Sequence, residues 1–378
     1  MRLVSTAFLA TTILVSSATL ANANVKVIAS IKPVHSLVAA VMEGVGKPEL
    51  LVEGAGSPHT YSLKPSQAKK LQEANLVFWM SHDLEAFLER SIEGIATNAK
   101  SVSLGESHGL TTLNFREGGA FDAHAHDVHK DHDDHGHDDH DNHKKDDHDN
   151  HGHDDHNDDK KDDHDGHGHD DHGDHNKDDH DDHGHDDHDD HKKDDHDDHG
   201  HDEHGHDETD PHVWLDPVNA KALVHEIEEA LAEADPTNAQ AYEANAEAMM
   251  SRLDNLVAEI DAELEPVKGR GYVVFHDAYQ YFENRFGVSA VGSITVSPEV
   301  LPGAERVAEL REKVKSLNAT CVFSEPQFEP KLVMTITENT NAGTGVLDPL
   351  GASIDDGAEL YFTLIRNMAK SLKDCLIK

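Results

Sequence analysis

Residues 122–210 constrain this chain more than any other stretch. They hold 27 of the 34 histidines in the 378-residue sequence, and almost everything else there is Asp, Gly, Asn or Lys. The stretch has no Ile, Leu, Phe, Tyr, Trp or Met, and its one Val is Val128. So little apolar surface cannot offset the entropy lost on ordering, so the segment is expected to be disordered when empty. It must therefore interrupt a folded protein rather than constitute one. It is also a repeat: residues 146–156 read DDHDNHGHDDH, and the pattern returns at 162–172, 178–188 and 194–204 with a period of 16 residues. Each unit offers histidines at i, i+3, i+5 and i+8 among carboxylates, and neutral imidazole is the commonest metal-binding side chain. A flexible chain can wrap several of these around one ion without imposing a geometry. Weak, unselective binding of several ions is the expectation.

The formal net charge is −43, and the 38 acidic residues and 8 lysines of 122–210 account for most of it. An acidic chain of this kind attracts cations and lacks the basic face that nucleic-acid binding requires. At the N-terminus, Arg2, an apolar run over 7–20 and the small-x-small sequence Ala21-Asn22-Ala23 read as a signal peptide over 1–23, with the mature chain starting at Asn24. No cysteine stands at that cleavage site, so no lipid anchor is expected there, and no later run is long and apolar enough to span a bilayer. The two cysteines are Cys321 and Cys375. In an exported chain an even count favours a disulfide, two buried free thiols being the other reading.

Setting the leader and the repeat aside leaves roughly 265 residues, enough for two modest domains. Short apolar runs alternate with helical patterns on both sides of the repeat. Strands are expected over 24–30, 49–52 and 76–80, and helices over 33–45, 64–73 and 84–95. A second series places strands at 272–275, within 288–296 and at 320–324, with helices at 278–286, 303–316, 332–339 and 358–376. This rhythm implies parallel sheets with covering helices. Between the two series, a helix is expected from Asp235-Pro236, with Asp as N-cap and Pro at N1. Apolar positions 242, 246, 249, 253, 256, 257, 260 and 264 carry it to about residue 265. The fold class is therefore α/β: two lobes with parallel sheets, joined by one long rigid linker helix, with a disordered His/Asp-rich insertion in the first lobe. The boundaries are 24–235 for the N-terminal lobe, 236–265 for the linker helix and 266–378 for the C-terminal lobe.

Only seven histidines lie outside the repeat. His35, His82, His108 and His225 are expected to be solvated side chains. The other three share a setting. His59 sits in a Gly/Pro-rich loop after a strand, His212 in the turn Asp210-Pro211-His212-Val213-Trp214-Leu215-Asp216-Pro217, and His276 at the end of an apolar strand. Ligands of open α/β sheets bind beyond the carboxyl ends of the strands. Converging there, the three imidazoles would form a zinc site with one coordination position open. Asp277 and Glu325 are expected to be hydrogen-bond partners, Asp210 and Asp216 to fix the turn at His212, and Trp214 and Phe282 to be core.

Four segments carry a resemblance: Pro58-His59-Thr60-Tyr61-Ser62-Leu63-Lys64-Pro65-Ser66, the turn around His212, Phe275-His276-Asp277-Ala278-Tyr279-Gln280-Tyr281-Phe282, and Leu347-Asp348-Pro349-Leu350-Gly351. Together with the histidine-rich insertion, they resemble the metal-binding solute-binding proteins of bacterial ABC importers (the cluster A-I, or cluster 9, family), specifically the zinc-uptake branch, ZnuA. The resemblance implies two α/β lobes on one long helix, Zn²⁺ held between them by His59, His212 and His276, and a Cys321–Cys375 disulfide. It also implies a periplasmic location and a membrane permease as partner, with an accessory zinc chaperone as a further one and the chain acting as a monomer. Some zinc members carry Glu before the first histidine, where this chain has Pro58. The fourth ligand is then water or Asp348, which matches a carboxylate ligand of manganese members and could instead orient an imidazole. Three nitrogens favour zinc over manganese.

Two other classes compete with a zinc receptor. A zinc hydrolase would suit three histidines and an open position, but there is no His-Glu-x-x-His motif, no nucleophile elbow and no base beside the histidines. A storage or buffering protein would make the repeat the main site. An adhesin is a further reading.

Overall fold

The apolar runs become the inner strands of two parallel sheets. The structure is a computed structural model that describes residues 25–116, 121, 209–295 and 303–377, the side chain of Arg306 excepted. The expected signal peptide lies outside the described residues, as does the histidine-rich stretch apart from Thr209 and Asp210. β1 (Val27–Ala29), β3 (Leu76–Trp79) and β5 (Tyr272–His276) are buried at every position, as strands covered on both faces must be. With β2 (Glu49–Leu50) and β4 (Lys100–Ser103) the first sheet, among the described residues, has the order β2-β1-β3-β4. β6 (Ala290–Thr295), β7 (Cys321–Ser324) and β8 (Gly343–Val346) give the second the matching order β6-β5-β7-β8. Every ladder is parallel. The α/β class and the pair of parallel sheets are as the sequence implies.

Two strands escape the sequence reading, and both lie at sheet edges. β4 has one buried residue, Val102, and β8 is Gly-Thr-Gly-Val with none. An edge strand with a half-exposed surface has no apolar run to betray it. The stretch around Gly345 therefore forms a strand without an apolar run. Gly345 is also required there, since a Cβ would lie 2.5 Å from the Phe323 ring on the neighbouring strand.

The helices are α1 (Lys32–Val41), α2 (Pro65–Gln72), α3 (Ala86–Ile95), α4 (Pro217–Ala234), α5 (Ala239–Leu264), α6 (Gln280–Phe286), α7 (Ala304–Ser316), α8 (Lys331–Thr337) and α9 (Leu360–Leu376). Among the described residues none is long and apolar enough to cross a membrane. The long helix α5 starts at Ala239, with Asn238 as its N-cap residue, and not at Asp235-Pro236. Asp235 instead ends α4, its N–H donating to the Leu231 carbonyl, and its carboxylate accepts from Asn238 Nδ2 at 2.6 Å and the Tyr242 hydroxyl at 3.0 Å. Its acidic side chain thus braces the corner between the two helices. The 26 residues of α5 span about 39 Å. Tyr242, Ala246, Met249, Leu253, Leu256, Ile260 and Leu264 are buried along one stripe. That stripe packs on α1 and α4 from the first half and on α9 from the second. One apolar cluster therefore runs from Val27 through α5 to Leu376.

The chain leaves and rejoins this body beside the second sheet. Asn114 and Thr209 form an antiparallel bridge, and Asp210 N donates to the Leu113 carbonyl at 2.8 Å. Gln280 and Tyr281 of α6 seat this pair of segments. Gln280 Nε2 donates to the Asn114 carbonyl at 3.0 Å, and the Tyr281 hydroxyl donates to the Asp210 carbonyl at 2.8 Å. Both stems of the histidine-rich stretch are thus held at the helix that follows His276.

Candidate metal centre

Three short structures bring three histidines to one point. His59 lies in a single 3₁₀ turn, Pro58–Thr60, in the loop after β2; Pro58 supplies the preset φ for that turn. His212 stands immediately before a second such turn, Val213–Leu215, and Asp216 then caps α4 by accepting from Val218 N at 2.8 Å. His276 is the last residue of β5, at the carboxyl end of its sheet. The ring centroids are 5.6 Å apart for His59 and His212, 6.0 Å for His59 and His276, and 5.4 Å for His212 and His276. One ligand nitrogen from each lies within 4.8 Å of the others, and among the described residues this is the one such group of His, Cys, Asp or Glu. Tetrahedral zinc at its usual 2.0–2.1 Å from nitrogen would bring them to about 3.3 Å from each other, a small contraction.

Two of the imidazoles are locked by carboxylates. Asp210 Oδ1 accepts from His212 Nδ1 at 2.6 Å and from the His212 backbone N–H at 3.0 Å. Its other oxygen accepts from Gln280 Nε2 at 2.7 Å, so this fully buried carboxylate is held from both sides. Glu325 follows β7, the strand beside β5, and its Oε1 accepts from His276 Nδ1 at 2.7 Å. A carboxylate accepts and cannot donate, so both Nδ1 atoms carry a proton, and in the neutral ring Nε2 is then the atom with the lone pair. His276 Nε2 is buried with no hydrogen-bond partner among the described residues. A buried acceptor left in this state is what an incoming cation would satisfy.

The electrostatics differ from ring to ring. At His59, burial first and then repulsion from His212 and His276 hold the imidazole well below its usual pKa, so it stays neutral. At His276, burial works downward, but the charge and hydrogen bond of Glu325, aided by Asp277 and Asp210, outweigh it and raise the pKa. The cavity enclosed by the rings measures about 10 Å³ and is also lined by Trp214, Glu325, Gln327, Phe328, Pro349 and Leu350. That is space for about one water-sized body.

The remaining candidates fall elsewhere. Asp348 does not join the group of ligand atoms. Its Oδ1 accepts from Leu350 N at 3.1 Å, Gly351 N at 2.9 Å and Gln327 Nε2 at 3.1 Å, and its Oδ2 from Ala352 N at 2.7 Å. Asp277 binds Arg116, with Nε donating to its two oxygens at 3.1 and 3.0 Å, and Arg116 Nη1 also reaches the buried Glu283 at 2.6 Å. Asp216 pairs with Arg285 through two bonds of 2.7 Å. Trp214 and Phe282 are buried, and Trp214 additionally packs 5.2 Å from the His212 ring and donates to the Pro349 carbonyl at 2.9 Å. His82 and His225 are exposed beside glutamates, and His108 is exposed. His35 departs from the expected solvated state. It is buried on the inner face of α1 and bonds through Nε2 to the Pro48 carbonyl at 3.2 Å, because a histidine within a helical apolar stripe follows the helix face. Cys321 and Cys375 form a disulfide that ties β7 to α9. Gln327 and Arg116 were not singled out by the sequence. Gln327 stands two residues past Glu325, beyond the carboxyl end of β7, and that position is the signal that could have marked it.

A profile of the family described as "Zinc-uptake complex component A periplasmic", ZnuA, matches residues 27–375. The chain belongs to the ZnuA family. A curated relative from Brucella suis, "High-affinity zinc uptake system protein ZnuA", is 52% identical over 352 residues, covering 93% of this chain and 92% of the relative. Its namesake from Yersinia pestis is 32% identical over 354 residues, covering 94% and 92%. The solved "Crystal structure of ZnuA" superposes with a TM-score of 0.64 at 22% identity, over 93% of this chain and 99% of that one, which supports the fold. The family is one of solute-binding components of zinc uptake and not of enzymes, so the hydrolase reading falls away.

Proposed function

We propose that this chain is the periplasmic receptor of a zinc ABC importer, binding one Zn²⁺ tightly among His59, His212 and His276 and delivering it to the membrane permease. The observation that carries the site is the convergence of three imidazoles, two with Nδ1 fixed by a buried carboxylate, on a cavity of ionic size. Nitrogen-only protein donors suit zinc better than manganese. The family description, the relatives' names and the geometry all support this reading. Asp348 shapes the loop beside the site in it, and is not a ligand.

The chain works as a monomer of two lobes, 24–235 and 266–378, on the linker 236–265, whose helix α5 runs over Ala239–Leu264, after removal of a signal peptide 1–23. A stripe buried along all of α5 makes the strut stiff, so release proceeds by small tilts and loop shifts near His59 and His212. The histidine-rich stretch 122–210 is an accessory scavenger or sensor that concentrates weakly held ions near the cleft, aided by an accessory zinc chaperone. Its stems meet next to Asp210 and α6, which anchors both of its ends near the site. Growth of a zinc-transport-deficient bacterial strain in chelated medium tests the proposal. Wild-type chain expressed with its permease should restore growth and a His59→Ala/His212→Ala/His276→Ala variant should not; restoration by both would overturn it.

A further inference from the structure

Among the described residues three buried polar atoms at this cavity have no hydrogen-bond partner: His276 Nε2, Glu325 Oε2 and the Oε1 of Gln327. Gln327 lines the same cavity as His59, His212 and His276. Its Nε2 donates to Asp348 Oδ1 at 3.1 Å. Asp348 can only accept, so this bond decides which end of the amide is which, and Oε1 must point the other way. Oε1 is buried and has no hydrogen-bond partner among the described residues. Asp348 is in turn fixed by the backbone N–H groups of Leu350, Gly351 and Ala352, so it cannot turn to relieve the amide. The arrangement is a carboxylate that holds a carboxamide with its oxygen presented to a donor.

The donor must come with the cargo, and on this point the inference rests on the zinc reading above. Zinc held by three protein nitrogens takes a fourth ligand to complete its tetrahedron. Glu325 Oε1 is occupied by His276; its Oε2 is buried without a hydrogen-bond partner among the described residues, and the Glu325 charge acts on the neighbouring Tyr279 hydroxyl. Burial first, and then the Glu325 charge, holds that hydroxyl well above its usual pKa. A carboxamide oxygen is a poor match for zinc, since carbonyl donors suit harder cations. It is a good acceptor for the O–H of a water polarised by zinc.

We propose that Gln327 is a positioning residue: its Oε1 accepts a hydrogen bond from a water that completes the coordination of the cation between His59, His212 and His276. Asp348 acts through Gln327 and not on the ion. A neutral amide draws less on the water's proton than a carboxylate would, so the ligand stays a water and remains exchangeable, as release to a permease requires.

The test is chelator competition for Zn²⁺ on the full chain at one equivalent of metal, with Gln327→Leu, Asp348→Asn and the double variant, alongside a crystal structure of the zinc-loaded wild type. Thermal midpoints of the metal-free proteins report folding separately. The expected result is about tenfold weaker zinc affinity for Gln327→Leu with an unchanged metal-free midpoint, the worth of one hydrogen bond to a charged group. Asp348→Asn should add little once Gln327 is Leu, and the crystal should show a zinc-bound water within hydrogen-bonding distance of Oε1. Unchanged affinity in Gln327→Leu overturns the inference, as does additive loss in the double variant or a protein oxygen in the fourth position. Absence of zinc between the three histidines in the wild-type crystal would instead overturn the receptor reading itself, and this inference with it.

Discussion

His276 Nδ1 donates to Glu325 Oε1 at 2.7 Å, across the carboxyl ends of two neighbouring parallel strands, and leaves the buried Nε2 without a hydrogen-bond partner among the described residues. On the proposed reading the pair would preset this strand-end histidine as a zinc ligand, because the carboxylate fixes both the tautomer and the ring plane. Replacing Glu325 by Gln should preserve the shape and remove the charge. Zinc affinity is expected to fall between about 10-fold and 100-fold, the usual cost of losing such a partner. Chelator competition at pH 7 measures it; an unchanged affinity would show that the carboxylate has no part in ligation.

The same geometry sets a pH order. His276 has a raised pKa and His59 a strongly lowered one, so as pH falls His276 takes up a proton before His59 does. Zinc competes with that proton, so affinity declines toward acid pH, and capture by the histidine-rich stretch should fade below about pH 6. Proton titration of the metal-free chain by NMR of the imidazole rings would check the order.

Glu85 makes stability, as distinct from affinity, depend on pH. It has no exposed surface, and burial pushes its carboxyl up to about 7 despite hydrogen bonds from Met80 N and Ser81 N. Between the unfolded value of 4.5 and about 7 the folded chain holds a proton that the unfolded chain has released. This contribution is therefore complete below pH 4.5 and is lost as pH rises to about 7, on the order of 3 kcal/mol in all. Denaturant unfolding of the metal-free protein at pH 5 and pH 8 should show Glu85→Gln gaining on the wild type at the higher pH. Parallel changes in the two proteins would contradict this.

Arg116 neutralises two buried carboxylates, Asp277 and Glu283, from a position just before the histidine-rich stretch. Arg116→Met leaves both charges uncompensated, and a loss of about 3–5 kcal/mol in unfolding free energy is expected. Adding Glu283→Gln should recover part of it. If the single substitution costs under about 1 kcal/mol, the pairing is no more than a surface contact.

The Cys321–Cys375 bond closes a loop across a sequence separation of 54 residues and holds α9 to the second sheet. Neither sulfur lines the cavity between the three histidines. Substituting both cysteines by Ala should lower stability by about 4 kcal/mol through the chain entropy of the unfolded state. The zinc affinity of the folded fraction should stay as it was. Calorimetric unfolding and competition titration on one sample separate the two effects.

The legible parts of the molecule were those where chemistry and pattern coincide. Three histidines each placed after a strand or in a rigid turn foretold their convergence, and the stripe from Tyr242 to Leu264 foretold the buried face of α5. The parts that stayed hidden depend on partners distant in sequence or on weak local signals. β4 and β8 are polar edge strands. The start of α5 turned on Asp235 bracing Asn238 and Tyr242, where the Asp-Pro dipeptide alone suggested a cap. Arg116 meets Asp277 across 161 residues, and the orientation of the Gln327 amide follows from Asp348, 21 residues on. No local spacing records such pairs. The role of Asp348 was open between ligand and supporting group, and four donors to its carboxylate now argue for support.

The central claim is that the specific zinc site lies in three histidines outside the repeat. Isothermal titration of zinc into a chain lacking residues 122–208, with and without His59→Ala, His212→Ala and His276→Ala, tests it most directly. The account predicts one tight equivalent in the shortened chain and its loss in the triple variant. Tight binding that disappears with the repeat and survives loss of the three histidines would contradict it and favour a storage protein.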